Sequence, residues 1–374
     1  MPVPSCDVSF VTSGHDVADA RLHREVNALV ARGLSVEVLG LGDPFDAPEC
    51  ARVRTWQRPG MAGRATLASR MAAIAHGRVL ITLDPDSAVA AGAIVMTTGR
   101  VLVVDVHEDY AALLRDRPWA RRLRGVPGVI GAGLVATFMQ LAKRAELTVV
   151  ADDHVPPLTA RNRMVLRNEP VPSMLPEPSP RDEAPRALYV GDVRATRGLF
   201  AMVEAMRLAP AWSLDLVGPV APDDAEQLGN LLADPALAGR VRLHGRRPPA
   251  ASWDFARGAW CGLALLADTP AFREALPSKL AEYEACGLPV ISTDLPRQRQ
   301  ALEASATGML VPTGSDEEVG AAVAEVLRGW TTSPASLDRM RATARAAGLA
   351  ARERRSAYDD FAAAVADLLE HDET

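Results

Sequence analysis

The feature that most constrains the fold is a regular alternation of short apolar, β-branched runs with segments of helical periodicity. Such an alternation is typical of βαβ units with parallel strands. The runs are apolar on both faces, which predicts sheets that are covered by helices on both sides. The predicted strands are residues 8–12, 35–40, 79–83, 101–106, 147–151, 187–191, 214–218, 241–245, 262–267, 289–293 and 308–312.

A proline-rich segment at residues 168–186 interrupts this alternation. It contains six prolines and has no periodicity, as expected for a linker between domains. A chain of 374 residues also exceeds the usual size of a single core. We therefore predict an N-terminal domain over residues 1–170, a C-terminal domain over residues 171–349, and a helical tail at about 350–374 that returns to the first domain.

Composition excludes several classes of protein. The net charge of −6 argues against a dedicated nucleic-acid binder, which usually has a basic excess. Four cysteines without a C-x-x-C pair argue against structural zinc and a disulfide scaffold, and fit a reducing cytoplasm. Neither a signal peptide nor an apolar run of membrane-spanning length is recognisable, so we expect a cytoplasmic protein.

The segment SKLAEYEACGLPVIST, residues 278–293, gathers charged side chains at the start of a predicted helix. Ser278 is a favourable N-cap residue, and the N–H groups of a helix start suit a phosphate. Ligands of parallel sheets bind where strands end, so Glu274, the helix start and Glu282 could converge on a sugar nucleotide. The alternative is that Glu282 is a solvated helix charge and Lys279 a surface residue.

The spacing of Glu274 and Glu282, E-x7-E, followed by EACGLPVIST, resembles the donor-site motif of retaining family 4 glycosyltransferases of the GT-B fold. Further segments resemble that family in the same order along the chain. They are residues 12–39, 103–110, 187–199 and 306–327. The resemblance implies two Rossmann-like domains facing across a cleft, the first binding the acceptor and the second a nucleotide-sugar donor.

The resemblance also assigns roles to individual residues. It implies that Glu282 holds the ribose hydroxyls, that Glu274 contacts the donor sugar, and that His107 lies near that sugar and the acceptor. The acceptor-side loop reads Ser13, Gly14, His15 where the family has a Gly-Gly pair, and His15 is either a base or a cap neighbour. The resemblance also places the backbone of Leu276, Pro277 and Ser278 against the diphosphate.

The second domain departs from the family at one phosphate-binding position. The family has an arginine directly after the glycine that ends the first strand of this domain, and a lysine five residues later. After Gly191 these positions read Asp192 and Arg197, so only Arg197 keeps the charge. Arg194 and Lys279 are the candidate replacements for the missing cation.

The predicted reaction is transfer of a sugar from a nucleotide sugar to an acceptor, with retention of configuration and without a metal or other cofactor. The acceptor is a small molecule, a glycan or a lipid-linked compound. Two alternatives stay open: a non-catalytic GT-B-like partner protein that binds nucleotide or glycan, which Asp192 favours, and a sugar-nucleotide epimerase.

Other motifs have competing interpretations. Asp84-Pro85-Asp86 has the D-x-D pattern of a metal site in glycosyltransferases of another fold, but two βα domains argue against that fold and favour a turn at a strand end. Residues 131–136, GAGLVA, match a dinucleotide fingerprint but lack the strand that must precede it. Five arginines around Trp119, within Arg115–Arg124, form either a contact with the inner face of a membrane or a solvated loop.

Overall fold

The structure is a computed structural model that describes residues 5–49, 52–111 and 126–371. The chain divides into two compact units. Unit 1 comprises Met1–Asn168 together with Ser356–Thr374, and unit 2 comprises Glu169–Arg355. The arginine-rich segment Arg115–Arg124 lies outside the described residues, so its membrane contact stays a prediction.

The described part of unit 1 forms a seven-stranded, wholly parallel sheet. Its strands are β1 (Cys6–Asp16), β2 (Val36–Leu41), β3 (Arg52–Trp56), β4 (Gly77–Thr82), β5 (Val101–Val106), β6 (Leu147–Val150) and β7 (Arg163–Val165). They are ordered β3-β2-β1-β4-β5-β6-β7. The order reverses between β1 and β4, so the ligand-binding crevice of this sheet type lies at the carboxyl ends of those strands.

Helices cover the sheet of unit 1, and their starts are marked in the sequence. They are α1 (Ala20–Ala31), α2 (Met61–Ile74), α3 (Pro85–Thr98) and α4 (Val126–Arg144). The carboxylate of Asp19 caps α1 by accepting hydrogen bonds from two N–H groups. Asp84 caps α3 by accepting from Ser87 N–H, with Pro85 in the first turn. GAGLVA lies inside α4, so it is helical and does not form the turn that a dinucleotide fingerprint requires.

Unit 2, which the structure describes without a gap, contains a second parallel sheet of six strands. The strands are β8 (Arg186–Val190), β9 (Ser213–Val217), β10 (Val241–Gly245), β11 (Cys261–Ala264), β12 (Val290–Thr293) and β13 (Gly308–Val311). Their order is β10-β9-β8-β11-β12-β13, so the crevice lies at the ends of β8 and β11.

The helices of unit 2 pack on this sheet around a tryptophan-rich core. They are α5 (Leu199–Leu208), α6 (Pro222–Leu232), α7 (Pro249–Trp253), α8 (Pro270–Arg273), α9 (Lys279–Ala285), α10 (Pro296–Ser305), α11 (Asp316–Thr332) and α12 (Ala335–Arg352). Trp212 is buried, meets Trp260 edge-on at 5.4 Å, and donates its indole N–H to Thr331 on α11 at 2.8 Å.

The proline-rich segment is not a free linker over its whole length, because arginines of α12 bind its carbonyl groups. Arg341 donates to Ser179 O at 2.9 Å and Arg345 donates to Pro178 O at 3.0 Å. Arg352 donates to Pro172 O at 2.8 Å. Proline has no N–H to join a sheet, so these side chains supply the donors that the segment needs.

The C-terminal helix, α13 (Ala357–His371), belongs to unit 1 and packs against α1. Arg24 of α1 lies 3.3 Å from the hydroxyl of Tyr358, and Arg78 donates to Leu369 O at 2.7 Å. The predicted return of the tail to the first domain is therefore confirmed. Among the described residues, no helix has the length and apolar character needed to cross a membrane.

All eleven predicted strands have counterparts in the described residues, and two strands were missed. β3 alternates arginine with smaller side chains and is only half-buried, and β7 has three residues. Both lie at sheet edges, where burial imposes no apolar pattern. The strand predicted at 262–267 ends at Ala264, so residues 265–267 leave the sheet toward the crevice.

Candidate functional site

The crevice of unit 2 opens because β8 and β11 pair over only two residues. Beyond them, the hydroxyl of Tyr283 on α9 bridges the two strands, accepting from Val190 N–H at 3.2 Å. Its single proton has two carbonyl oxygens within reach, Leu188 O at 3.1 Å and Leu263 O at 3.3 Å. Gly262 leaves room for the Tyr283 ring, since a Cβ there would lie 2.4 Å from it. Tyr283 therefore fixes α9 at the crevice.

Lys279 and Gly191, far apart in the sequence, are in contact at this crevice. Gly191 has φ +133°, and a Cβ on it would lie 2.5 Å from the Lys279 ammonium. The same ammonium lies 5.5 Å from the ring centroid of Tyr189. Position 191 thus requires glycine for two reasons: its backbone angle, and the space that Lys279 occupies.

Two arginines join Lys279 around the turn after β8. The Nη2 atoms of Arg194 and Arg197 each lie 4.0 Å from Asp192 Oδ2. Tyr189 donates its hydroxyl to Asp192 O at 2.8 Å, which fixes the backbone of the turn. Three cations, the two arginines of the turn and Lys279 of α9, thus lie around one carboxylate, that of Asp192. This excess of positive charge favours binding of an anionic group.

The pKa of Lys279 reflects this crowding. Burial, followed by the charge of Arg197, lowers the pKa of Lys279 to about 8, although Glu282 and Asp192 act in the opposite direction. Lys279 therefore carries its charge at neutral pH and loses it as the pH rises through about 8. An incoming anion would hold it in its charged form.

Glu282 and Ser278 differ in part from expectation. Glu282 is only 6% exposed, so it is not a solvated helix charge. Ser278 occupies the N-cap position with helical angles and makes no capping bond with its side chain. Its hydroxyl instead donates to Glu282 Oε2 at 3.2 Å. The spacing of four residues on one helix face therefore orients the carboxylate rather than capping the helix.

The loop after β11 carries Glu274, Leu276 and Pro277 beside the turn that follows β8. Ala267 N–H donates to Thr196 O at 3.0 Å, which joins this loop to the turn. Glu274 follows α8 directly and is exposed, and Leu276 is 51% exposed. The loop thus presents an accessible carboxylate between β11 and α9.

In unit 1, the residues Ser13, Gly14 and His15 bulge from the end of β1, whose register on β2 shifts between Val11 and Asp16. The Asp84 carboxylate holds this bulge together. It accepts from Ser13 N–H at 3.0 Å and Gly14 N–H at 3.1 Å.

The second aspartate of the D-x-D pattern pairs with an arginine. Arg64 lies 2.7 Å from Asp86 and 3.8 Å from Asp84, and burial raises the pKa of Asp86. Both aspartates thus make contacts within unit 1. In the chain as far as it is described, no group of three or more His, Cys, Asp or Glu residues could hold a metal ion.

The bulge brings His15 against His107. The two ring centroids are 4.8 Å apart and the rings meet edge-on. His107 Nε2 lies 2.6 Å from Asp105 Oδ2, and His15 Nδ1 lies 3.6 Å from Asp19 Oδ2. Burial works to lower the pKa of His15, but the hydrogen bond and charge of Asp19 outweigh it and the pKa is raised. The structure thus joins the predicted acceptor-side residues to His107.

Sequence reasoning missed three buried residues behind His107, namely Arg21, Glu25 and Asp105. A signal was available: Arg21 and Glu25 are four residues apart on the face of α1 that carries the buried apolar positions Leu22, Val26 and Leu29. Charged side chains on a core face are rarely solvated and usually pair with one another.

Comparisons with known proteins show what the chain is similar to. Residues 174–347, nearly all of unit 2, match the family model described as glycosyl transferases group 1. No curated protein sequence matches this chain significantly.

Several solved structures share the fold of the whole chain. Sucrose-phosphate synthase (tll1590) from Thermosynechococcus elongatus is 15% identical with a TM-score of 0.68, over 98% of each chain. Anabaena Alr3699/HepE, in complex with UDP and glucose, is 15% identical with a TM-score of 0.66, over 98% of this chain and 100% of that one. WaaG, a glycosyltransferase involved in lipopolysaccharide biosynthesis, is 16% identical with a TM-score of 0.61, over 96% and 99%. These likenesses establish the predicted GT-B fold.

Proposed function

We propose that this glycosyltransferase, which has the GT-B fold and a group 1 domain in unit 2, is a retaining, family 4-like enzyme that uses a nucleoside diphosphate sugar. The observation that carries the proposal is the contact of Lys279 with Gly191 at the β8–β11 crevice, beside the buried carboxylate of Glu282. The complex of HepE with UDP-glucose supports a nucleotide sugar as the donor. The acceptor is a small molecule, a glycan or a lipid-linked compound that offers a hydroxyl.

Unit 2 holds the leaving diphosphate in this proposal. Lys279, Arg197 and Arg194 surround the turn at Gly191, and the backbone at Ser278 begins the adjoining helix. Fixed positive charges directed at a developing phosphate charge lower the barrier more than they favour the ground state. Asp192, at 4.0 Å from both arginines, keeps them at the turn before the diphosphate arrives.

The two carboxylates accept hydrogen bonds from hydroxyl groups of the donor in this proposal. Glu282, oriented by Ser278, accepts from the ribose hydroxyls, and a charged acceptor makes a strong hydrogen bond. Glu274, which is accessible on the loop after β11, accepts from the donor sugar. His107, Ser13, Gly14 and His15 bind on the acceptor side in unit 1.

The proposed reaction needs no protein nucleophile. The bond from the anomeric carbon to the diphosphate oxygen breaks, and a bond forms from that carbon to the acceptor oxygen on the same face. The acceptor proton passes to the departing phosphate oxygen, so the nucleoside diphosphate leaves with that proton. The protein contributes charge stabilisation and alignment.

The proposed transfer does not require a divalent ion, because protein cations meet the diphosphate charge. We expect initial rates in excess chelator to equal those without it, and Asp86→Asn to lose little activity since Asp86 pairs with Arg64. Activity that is abolished by chelator and restored by manganese or magnesium would show that a metal bridges the phosphate oxygens instead.

Two substitutions separate nucleotide binding from sugar positioning. Glu282→Ala should weaken binding of the free nucleoside diphosphate about ten- to a hundredfold, from the loss of a charge-assisted hydrogen bond of about 1.5–3 kcal/mol. Glu274→Gln should reduce turnover with little change in that affinity, because it faces the sugar. Calorimetric titration of a panel of nucleoside diphosphates and initial rates with the matching donors measure both effects.

Glu303→Ala is the matched control, since Glu303 is an exposed glutamate on the neighbouring helix α10. It should change neither quantity. Equal losses of affinity in the Glu282 and Glu274 variants would contradict the division of roles. Nucleotide binding without turnover, for every donor and acceptor pair tried, would favour a non-catalytic partner protein over an enzyme.

A further inference from the structure

The partner of His107 is itself held rigidly. Asp105 is fully buried at the end of β5, and Arg21 binds both of its oxygens, Nε to Oδ2 at 2.7 Å and Nη2 to Oδ1 at 2.8 Å. A bidentate arginine fixes the plane of a carboxylate as well as its position. His107 Nε2, at 2.6 Å from Oδ2, therefore meets a carboxylate that cannot rotate.

Arg21 is fixed at its other end too. Its Nη1 donates to Leu166 O at 2.6 Å and to Asn168 Oδ1 at 3.3 Å, and the side chain is buried. These bonds attach α1 to the last residues of the first segment of unit 1. Arg21 thus has partners on three sides, and it holds Asp105 in one orientation.

The carboxylates of this cluster differ in their surroundings. Burial opposes ionisation of Asp105, but the charge of Arg21 and the hydrogen bonds of Arg21 and His107 outweigh it, and the pKa of Asp105 lies well below its usual range. Glu25 lies 3.0 Å from Arg21 Nε without solvent exposure. Burial, followed by the charge of Asp105, raises the pKa of Glu25 well above its usual value. Asp105 is therefore the carboxylate that Arg21 and His107 hold in its ionised form.

We propose that Arg21 and Asp105 are positioning residues that hold His107 with the proton of Nε2 donated to Asp105, leaving Nδ1 to accept a hydrogen bond from a substrate hydroxyl. An ionised carboxylate can only accept, so the hydrogen bond of 2.6 Å requires the proton on Nε2. Within the described residues, the hydrogen bonding of His107 uses Nε2 alone. Hydroxyl groups are donors that such a nitrogen can accept. The identification of that hydroxyl with a sugar or acceptor rests on the proposed function.

His15 is a second imidazole ring in contact with His107. The two rings meet edge-on, and Asp19, with Asp84 and Asp105 adding to it, favours the protonated form of His15. His15 is therefore a hydrogen-bond donor beside the ring of His107.

The decisive test is nitrogen NMR of the full chain with labelled histidine and no substrate, because it reports tautomer and protonation independently of activity. We expect His107 in the wild type to be neutral with its proton on Nε2 at pH 7. A proton on Nδ1, or an imidazolium, would overturn the inference. Glu25→Gln should keep the wild-type spectrum, because the bond to His107 comes from Asp105, and an altered His107 signal there would contradict this assignment.

Activity measurements provide the second readout. Asp105→Asn should lower kcat about 10²-fold through misplacement of His107, with the affinity for free nucleoside diphosphate unchanged. Arg21→Met should lower kcat to a similar extent, since Asp105 loses the arginine that fixes the plane of its carboxylate. Arg21→Lys keeps the charge but not the bidentate contact, so it should restore only part of kcat.

The control is Asp152→Asn, because Asp152 and His154 have the same spacing at the end of β6 but lie on the surface, 3.5 Å apart. It should change neither kcat nor the His107 spectrum. A kcat loss in Asp105→Asn with the wild-type His107 spectrum would indicate a structural role only. If the wild type shows the expected tautomer but transfers no sugar, the proposed function fails and the inference about His107 stands.

Discussion

At the scale of single residues, burial lowers the pKa of Lys279, whose charge is proposed to bind the diphosphate. Lys279 lies against Gly191 in partly buried surroundings that lower its pKa to about 8. Between about pH 8 and its unfolded value of 10.5, the unfolded chain binds more protons at this site than the folded one. The contribution of Lys279 to stability therefore rises with pH through that window, while its ability to bind an anion falls.

We predict that affinity for a nucleoside diphosphate decreases as the pH rises above about 8, because Lys279 loses its charge. In Lys279→Arg the affinity should stay level over the same range, since arginine keeps its proton. Lys279→Met should bind about ten- to a hundredfold more weakly at pH 7, with no such pH dependence. Calorimetric titration at a series of pH values measures all three, and Lys143→Met, an exposed lysine of unit 1, is the control. An unchanged pH dependence in Lys279→Arg would assign the titration to another group.

At the scale of elements, α9 is held in place from two sides. Tyr283 ties it to β8 and β11, where these strands diverge. On its other side, a Cβ on Gly348 of α12 would lie 2.7 Å from Ala285 O, so the two helices touch through backbone. The residues proposed to bind the donor thus sit on a short helix whose position comes from its neighbours.

We predict that Tyr283→Phe lowers the free energy of unfolding of unit 2 by about 1–3 kcal/mol, because the Val190 N–H and two carbonyls lose a buried partner. Nucleotide affinity should fall as well, since α9 loses its attachment to the sheet. Tyr110→Phe is the matched control in unit 1, where the hydroxyl donates to Leu83 O at 3.1 Å. It should lower stability and leave nucleotide affinity unchanged. Loss of affinity in both variants would indicate a general effect of stability.

At the scale of the whole molecule, each unit has its own core, and one helix is distant in sequence from the unit it joins. The core of unit 2 gathers around Trp212, and that of unit 1 contains Leu80 and Phe138. The helix α13 follows unit 2 in the sequence but packs in unit 1. A ligand that binds one unit should therefore stabilise the segments that pack in that unit, wherever they lie in the sequence.

We predict that a nucleoside diphosphate slows hydrogen exchange in β8, β11 and α9 but not in β1, β4 or α13. A ligand at a hundredfold excess over its Kd stabilises the unit that binds it by about 2.7 kcal/mol. Exchange measured by mass spectrometry with and without the nucleotide tests this, and adenosine without phosphate serves as the control. Protection of β1 and β4 by the nucleotide alone would place the diphosphate site in unit 1.

The sequence by itself determined the features that depend on local periodicity. The apolar strands, their alternation with helices, and the grouping of Ser278, Lys279 and Glu282 on one segment were all predictable, since a strand or helix repeats over a few residues. The GT-B fold followed from that alternation and from the resemblance of the motifs. The edge strands β3 and β7 were not predictable, because partial burial imposes little pattern on a short strand.

Tertiary structure alone decided which distant residues meet. The contact of Gly191 with Lys279 depends on β8 and β11 being neighbours, which follows from the strand order and not from either segment. The same holds for Arg21, which reaches Asp105 across α1 and β5. Ser278 shows the converse: its residue type favours a cap, but the buried carboxylate of Glu282 takes its hydroxyl instead. Buried polar groups require partners, and the partners available are those that the packed chain brings within reach.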